Sequence, residues 1–280
     1  MANVNEQSKQ QLGPDHAIRL TMTFQGHEIE VLLNKDQRAL FAPESPWLEK
    51  PSDESGDLRV ASAVFHHPVK DVERYRLKKD DDWWALFGPD GRPTPPLSDK
   101  TALGKFFDAL DIDLSSPPHG PKIAVLLESP HQNEYDTNFN PLGPARGPTG
   151  EAFHRYFTSH VLPVLLRAGL TLDDDTDGLH VLMINPVPYQ ASLRHLLTKH
   201  NEPLKNAVWT KLWEHCKPNF MDRLRQYAPK IILNGCTADL KAMVAAAVKG
   251  HEKQHGTVQH YNVAHPSQWQ RALHPFGKAT

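Results

Sequence analysis

Hydrophobic and polar residues alternate near the start of the chain, which is the pattern of a half-buried β-strand. Apolar residues occupy every second position over Ile18–Phe24 and again over Ile29–Leu33. Gln25 and Gly26 stand between the two segments and favour a tight turn. The pattern therefore predicts a β-hairpin.

Further strand candidates follow the hairpin. Leu58–Phe65 and Trp83–Phe87 are rich in β-forming residues, and a Pro- and Gly-rich stretch, Gly88–Pro96, comes next. Such a stretch is typical of a boundary between structural units. We therefore expect residues 1–97 to form a β-rich N-terminal accessory region.

After this boundary, continuous apolar runs alternate with amphipathic segments. Four runs are typical of buried strands: Lys122–Leu127, Leu179–Ile184, Lys230–Leu233 and Tyr261–Ala264. Four segments have the pattern of helices: Lys100–Leu110, Phe153–Leu166, Trp209–Tyr227 and Ala238–Val248. Alternating strands and helices predict an α/β fold. For residues 98–280 we expect a three-layer α/β/α sandwich with a central four-stranded parallel sheet.

The composition excludes several classes of protein. The 280 residues are 39% hydrophobic and 23% charged, as in soluble globular proteins. No apolar run approaches the length that spans a bilayer, and the N-terminus lacks the apolar core of a signal peptide. Two cysteines do not suggest a disulfide scaffold. We expect a cytoplasmic monomer with no membrane partner.

The charge is unevenly distributed along the chain. Residues 179–280 contain 13 Lys and Arg against 5 Asp and Glu, a charge of +8, so the remainder carries −10 of the total of −2. A basic half beside an acidic half favours one surface that faces a polyanion such as DNA. The alternative is ordinary variation in charge along a chain.

Polar motifs follow the predicted strands, at the sheet edge where ligands of α/β proteins gather. Leu127–His131 (LESPH) follows the first strand, Asn185 follows the second, and His265–Ser267 (HPS) follows the fourth. In this order, the motifs resemble those of the uracil-DNA glycosylase superfamily, G-Q-D-P-Y-H or G-E-A-P-G, then Asn, then H-P-S. The resemblance covers about the last two-thirds of the chain.

The resemblance implies three catalytic residues. Glu128 matches a carboxylate that orients water or stabilises positive charge on the sugar, with Glu134 and Asp136 as alternatives. His265 would donate to a carbonyl of the departing base. Asn185 would bind the Watson–Crick edge of a flipped base and suits uracil or cytosine. Without the resemblance, Glu128 is a turn cap or a partner of a lysine, and Asn185 is a turn residue.

The resemblance also implies a base pocket and a DNA-binding loop. The expected pocket residues are Ser129, Pro130, His131, Ala145 and Gly147. The expected DNA contacts are Ser267, Gln268, Trp269 and Arg271. Trp269 stands where the family has a leucine wedge that fills the gap left by the flipped nucleotide. A core tryptophan is the alternative at this position.

The pocket loop differs from the family pattern in a way that predicts the substrate. Ala145 replaces a stacking Phe, and His131 replaces a Tyr, so the pocket wall near the C5 edge of the base is expected to be open. The open wall predicts a DNA glycosylase that excises a modified pyrimidine larger than uracil. Overall the chain also resembles phage-defence glycosylases, and this resemblance implies glucosylated hydroxymethylcytosine of phage DNA as the base, in anti-phage defence. The product would be an abasic site in double-stranded DNA.

Several alternative functions remain at this point. They are a uracil-DNA glycosylase of base-excision repair, a nucleoside hydrolase of the same fold, and a catalytically silent DNA-binding module. No cofactor or metal is expected, and two cysteines cannot hold the iron–sulfur cluster of one branch of the family.

Overall fold

The structure is a computed structural model that describes residues 18–49, 56–80, 83–96, 98–109, 112–167, 178–255, 258–270 and 276–278. Within these ranges the strands are β1 Ile18–Phe24, β2 His27–Leu33, β3 Leu48–Glu49, β4 Leu58–Val60, β5 Val72–Asp80, β6 Trp83–Phe87, β7 Ile112–Asp113, β8 Lys122–Leu126, β9 Leu179–Ile184, β10 Ile231–Asn234, β11 Gln259–Val263 and β12 Phe276–Lys278. The helices are α1 Lys35–Arg38, α2 Lys100–Ala109, α3 Pro148–Tyr156, α4 Leu162–Arg167, α5 Glu202–Tyr227 and α6 Ala238–His255, with a π-helical segment, Phe157–Val161, between α3 and α4.

The predicted hairpin is confirmed. Strands β1 and β2 pair antiparallel, and Gln25 and Gly26 at the turn both have positive φ, as a tight two-residue hairpin requires. The hairpin belongs to a four-stranded sheet in the order β2-β1-β4-β3. The candidate strand Leu58–Phe65 is shorter than predicted, because it ends at Val60 and a 3₁₀ turn, Ser62–Phe65, follows.

A larger, mixed sheet dominates the rest of the described residues. Its strands lie in the order β12-β11-β10-β8-β9-β5-β6, and β7 pairs with β5. Strands β8 to β11 pair in parallel, whereas β5, β6 and β12 add antiparallel pairs. The sheet therefore exceeds the four parallel strands that the sequence predicted. Since β5 and β6 come from the predicted accessory region, the boundary near residue 97 does not separate the two sheets.

Helices cover both faces of the larger sheet. Alternate residues of its buried strands enter two hydrophobic clusters, so that Leu126 and Ile184 pack with α5 and α6. Val125 and Met183 pack on the other side with α2, α3 and α4. This packing fixes the sheet between the helices and leaves the loops at the carboxyl ends of β8 to β11 on one edge.

Helix α5 begins earlier than its hydrophobic pattern indicates. The predicted start was Trp209, but the helix begins at Glu202, where the Asn201 side chain accepts a hydrogen bond from the Leu204 amide at 2.9 Å. This early start places Lys205 at the sheet edge that faces the loops. None of the helices in the described ranges is long and apolar enough to cross a membrane.

Candidate active site

A cavity of about 530 Å³ opens at the carboxyl ends of the parallel strands. Loops after β8, β9, β10 and β11 meet there with the first turns of α3 and α5. We call this space the strand-end cavity; it is lined by Leu127, Glu128, Ser129, Pro130, His131, Gln132, Glu134, Thr149, Ser192, Arg194, His200, Lys205, Thr237, His265 and Ser267. Two of the three predicted catalytic residues, Glu128 and His265, are therefore brought to one site.

Glu128 is fixed by its backbone as well as by its side chain. It has a φ of +113°, and its carbonyl accepts hydrogen bonds from Trp209 Nε1 at 3.2 Å and the Val187 amide at 3.1 Å. Non-glycine residues rarely adopt such a φ, and strained backbone of this kind clusters at functional sites. The carboxylate accepts from Lys205 Nζ and from the Thr237 amide, both at 2.8 Å. Glu128 thus pairs with a lysine and also lines the cavity.

Lys205 is a site residue that the sequence analysis missed. Its side chain is 7% exposed, and its Nζ lies 2.8 Å from Glu128 Oε1 and 2.6 Å from Glu202 Oε1. Burial alone would lower the pKa of this amine, but the two carboxylates outweigh burial and raise it. Lys205 therefore stays protonated and forms a buried ion pair with Glu128.

His265 is held as a neutral imidazole. Burial lowers its pKa, and the positive charges of Lys205 and Lys241 lower it further, while Glu128 and the Leu127 carbonyl act in the opposite direction. Its Nδ1 accepts a hydrogen bond from the Ser267 amide at 3.4 Å. Nδ1 also lies 2.8 Å from Ser267 Oγ, and both contacts are compatible with a ring proton on Nε2, the donor that the predicted role requires.

Asn185 lies beside the cavity and is not part of its lining. It is almost fully buried, and neither atom of its side-chain amide has a hydrogen-bond partner among the described residues. The amide lies beside the carboxyl of Glu134 and lowers its pKa as a nearby donor, although the two groups do not reach full hydrogen-bond geometry. An unsatisfied amide at such a place suits a ligand with both donor and acceptor atoms.

A second group of residues fixes the backbone of Asn185 by hydrogen bonds. Asp71 Oδ1 accepts a hydrogen bond from the backbone amide of Asn185 at 3.3 Å, and Arg223 Nη2 donates to the backbone carbonyl of Asn185 at 3.0 Å. Asp71 also pairs with Arg223 and accepts from Tyr227 Oη at 3.1 Å. Asp71 precedes β5, so the region predicted to be accessory helps to position the second strand end. The sequence patterns contained no signal for this contact.

The two alternative carboxylates differ sharply in position. Glu134 lines the cavity, is 5% exposed, and accepts from the Ala145 amide at 2.9 Å. Burial raises the pKa of Glu134 to about 8. Asp136 instead accepts from the backbone of Asn138 and Asn140, both at 2.8 Å, and orders its own loop outside the cavity.

The predicted base pocket is only partly assembled. Ser129, Pro130 and His131 line the cavity. Ala145 does not line it, because its side chain is fully buried in the core and its carbonyl accepts from Arg74 Nη1 at 3.2 Å. The prediction that Ala145 opens the pocket wall is therefore wrong. Gly147 caps α3 and also lies outside the lining.

Of the predicted DNA-binding residues, too, only some are accessible to a ligand. Ser267 lines the cavity and Gln268 is exposed. Trp269 is 0% exposed, stacks obliquely on Phe153 at 5.4 Å, and donates from Nε1 to the Ala264 carbonyl at 2.7 Å. A wedge must be exposed, so that prediction is wrong and the alternative of a core tryptophan is correct. Arg271 lies outside the described residues.

The lining of the cavity is rich in cationic and imidazole groups. Arg194, His131 and His200 line it together with Lys205, and Arg194 Nη1 is buried without a hydrogen-bond partner among the described residues. Burial and the Arg194 charge lower the pKa of His131. An unsatisfied guanidinium nitrogen at this place favours an anionic ligand such as a phosphate.

The described residues contain no group of three or more His, Cys, Asp or Glu side chains arranged to hold a metal ion. Comparisons of the chain with protein-family profiles, with curated proteins and with solved structures found no significant match.

Proposed function

We propose that this protein is a DNA glycosylase that hydrolyses the N-glycosidic bond of a modified pyrimidine and leaves an abasic site. The observation that carries the proposal is the joint presence of Glu128 and His265 in one cavity at the strand ends. The helices on both faces of the sheet support assignment to the three-layer α/β/α type.

The geometry gives each residue a role. In the reaction, the bond from C1′ to the base nitrogen breaks and a bond from C1′ to a water oxygen forms. Charged Glu128 stabilises the positive sugar and accepts a proton from the water, while His265 Nε2 donates to the base carbonyl as negative charge develops there. Lys205 fixes the Glu128 carboxylate in place through their ion pair.

The substrate we propose is glucosylated hydroxymethylcytosine in phage DNA, which would make the protein an anti-phage defence enzyme. A volume of about 530 Å³ falls in the range of pockets for drug-sized ligands and exceeds the needs of a single pyrimidine. The cationic groups of the lining suit the phosphates of a DNA strand. Double-stranded DNA is the proposed partner.

The test is mass spectrometry of the bases that the full-length protein releases from a panel of DNAs and from the matching free nucleosides. We expect glucosylated hydroxymethylcytosine to be released from DNA and not from the nucleoside. Faster release of uracil would favour a repair enzyme, and release from nucleosides alone would favour a nucleoside hydrolase. No release from any substrate would refute the proposal.

A further inference from the structure

The second carboxyl group of the strand-end cavity, Glu134, has no task in the mechanism above. Its two oxygens lie in different environments. Oε1 accepts from the Ala145 amide at 2.9 Å, whereas Oε2 is buried without a hydrogen-bond partner among the described residues. Because a backbone amide can only donate, Oε1 is the acceptor oxygen, and Oε2 is the atom available to carry a proton.

The electrostatic surroundings of Glu134 differ from those of Glu128. Glu128 forms an ion pair with Lys205 at 2.8 Å, while no described lysine or arginine lies within ion-pair distance of Glu134. Arg74, whose charge lowers the pKa of Glu134, donates from its guanidinium to the carbonyls of Pro144 and Ala145. One site thus contains an ion-paired carboxylate and a carboxyl without an ion-pair partner among the described residues, which is the arrangement that divides acid and base roles in enzymes.

We propose that Glu134 is the general acid of this site, passing a proton from Oε2 to ring nitrogen N3 of a cytosine-type base as that base departs. The inference rests on the proposed glycosylase function. It adds a residue that touches the leaving base and a reason for the chemical class of that base.

The proton balance of the step is complete. The bond from C1′ to N1 breaks, and its electron pair moves into the base ring. The proton on Glu134 Oε2 goes to N3, so the base leaves neutral, and water supplies hydroxide to C1′ with its proton passing to Glu128. Solvent then returns one proton from Glu128 to Glu134.

The step favours a cytosine-type base over uracil. N3 of cytosine is a lone-pair acceptor, whereas N3 of uracil already carries hydrogen and cannot accept this proton. Asn185, whose unsatisfied amide adjoins Glu134, offers an acceptor to the exocyclic amino group of cytosine. Uracil must instead leave as an anion, for which His265 alone provides stabilisation.

The protonation state of Glu134 supports the role at physiological pH. Burial raises the pKa of Glu134 to about 8, although Arg74 and Asn185 lower it in part. The other titratable or charged groups on the surrounding elements are Tyr135 beside this carboxyl, and His131, Glu128, Lys205, Arg194 and His265 in the lining of the cavity. The neutral, proton-donating form exists below this pKa and is lost as the pH rises through it.

The experiment measures single-turnover base release from DNA with glucosylated hydroxymethylcytosine and from DNA with uracil, between pH 6 and pH 10 at about one-unit steps. Wild type is compared with Glu134→Gln and with the control Glu214→Gln, an exposed position on α5. Glutamine retains the acceptor for the Ala145 amide and a hydrogen-bond donor but cannot transfer a proton. DNA affinity and thermal unfolding of each variant are measured alongside.

We expect Glu134→Gln to slow release of the cytosine-type base by roughly a hundredfold or more with little change in DNA affinity, since general acids contribute factors of this size. Uracil release, if present, should change far less. Wild-type release of the cytosine-type base should fall above a pH of about 8, and the variant should lack this fall.

The outcomes separate the inference from the proposed function. If wild type releases no base from either DNA, the glycosylase function fails, and the inference fails with it. If wild type is active and Glu134→Gln is equally fast, only the inference is overturned. Should the variant fail to fold, the wild-type profile decides, because a rate on the cytosine-type base that stays constant to pH 10 contradicts the inference.

Discussion

Replacing Lys205 by methionine tests whether the buried ion pair holds Glu128 in place. Methionine keeps most of the side-chain volume and removes the ammonium group, which leaves the Glu128 carboxylate buried with only the Thr237 amide as a donor. Breaking a buried pair from one side typically costs about 3–5 kcal/mol. Glu128 retains one hydrogen bond and Glu202 is 43% exposed, so we expect the lower end, about 3 kcal/mol.

The assay is urea unfolding followed by tryptophan fluorescence at pH 7. The matched control is Lys211→Met, which removes an exposed pair with Glu214 at 3.7 Å and should change the unfolding free energy by less than about 0.5 kcal/mol. The double variant Lys205→Met with Glu128→Gln should regain most of the stability without regaining activity. Equal unfolding free energies for Lys205→Met and Lys211→Met would refute this account of the pair.

Three further predictions concern the surroundings of the cavity. Trp269→Ala should lower the unfolding free energy by about 3–5 kcal/mol, because the side chain is fully buried. The control Trp83→Ala, at a side chain 79% exposed, should change it little. Urea unfolding compares the two variants, and equal stabilities would contradict the assignment of Trp269 to the core. Asp71→Asn should slow base release by about tenfold or more with DNA affinity largely kept, because it weakens the contacts that fix Asn185. An unchanged rate of base release would contradict this positioning role of Asp71. Arg194→Glu should weaken DNA binding, and flatten its dependence on salt, more than Lys79→Glu on β5 does. A fluorescence titration at several salt concentrations measures both effects, and equal effects would count against DNA binding at the cavity.

Local sequence patterns correctly predicted the β-hairpin and the parallel strands of the larger sheet. Alternation predicted the hairpin, and continuous apolar runs predicted β8 to β11. Strand β5 was missed because Glu73 and Arg74 are charged yet buried. Their burial depends on distant partners, such as His180 Nδ1 at 2.8 Å from Glu73 and the Ala145 carbonyl for Arg74. No periodicity within β5 could reveal those partners.

The same limit applies to the candidate site. Glu128 and His265 were predicted because their motifs resemble those of the glycosylase superfamily and because each directly follows a recognisable strand, where strand ends meet at one edge. Lys205 was missed since a lysine in the first turns of a helix normally faces solvent, and only the fold shows that two carboxylates surround it. Trp269 was misassigned because its sequence position is equally compatible with an exposed wedge and with the core contacts to Phe153 and Ala264 that the structure contains.

The central claim is that the strand-end cavity breaks an N-glycosidic bond through Glu128 and His265. The most direct test is abasic-site formation on duplex DNA with glucosylated hydroxymethylcytosine, measured in single turnover for wild type, Glu128→Gln and His265→Ala, with Glu214→Gln as the exposed control. We predict that the two cavity variants lose roughly a hundred- to thousandfold in rate while DNA affinity persists. Abasic sites formed by Glu128→Gln and His265→Ala as fast as by wild type would contradict the claim.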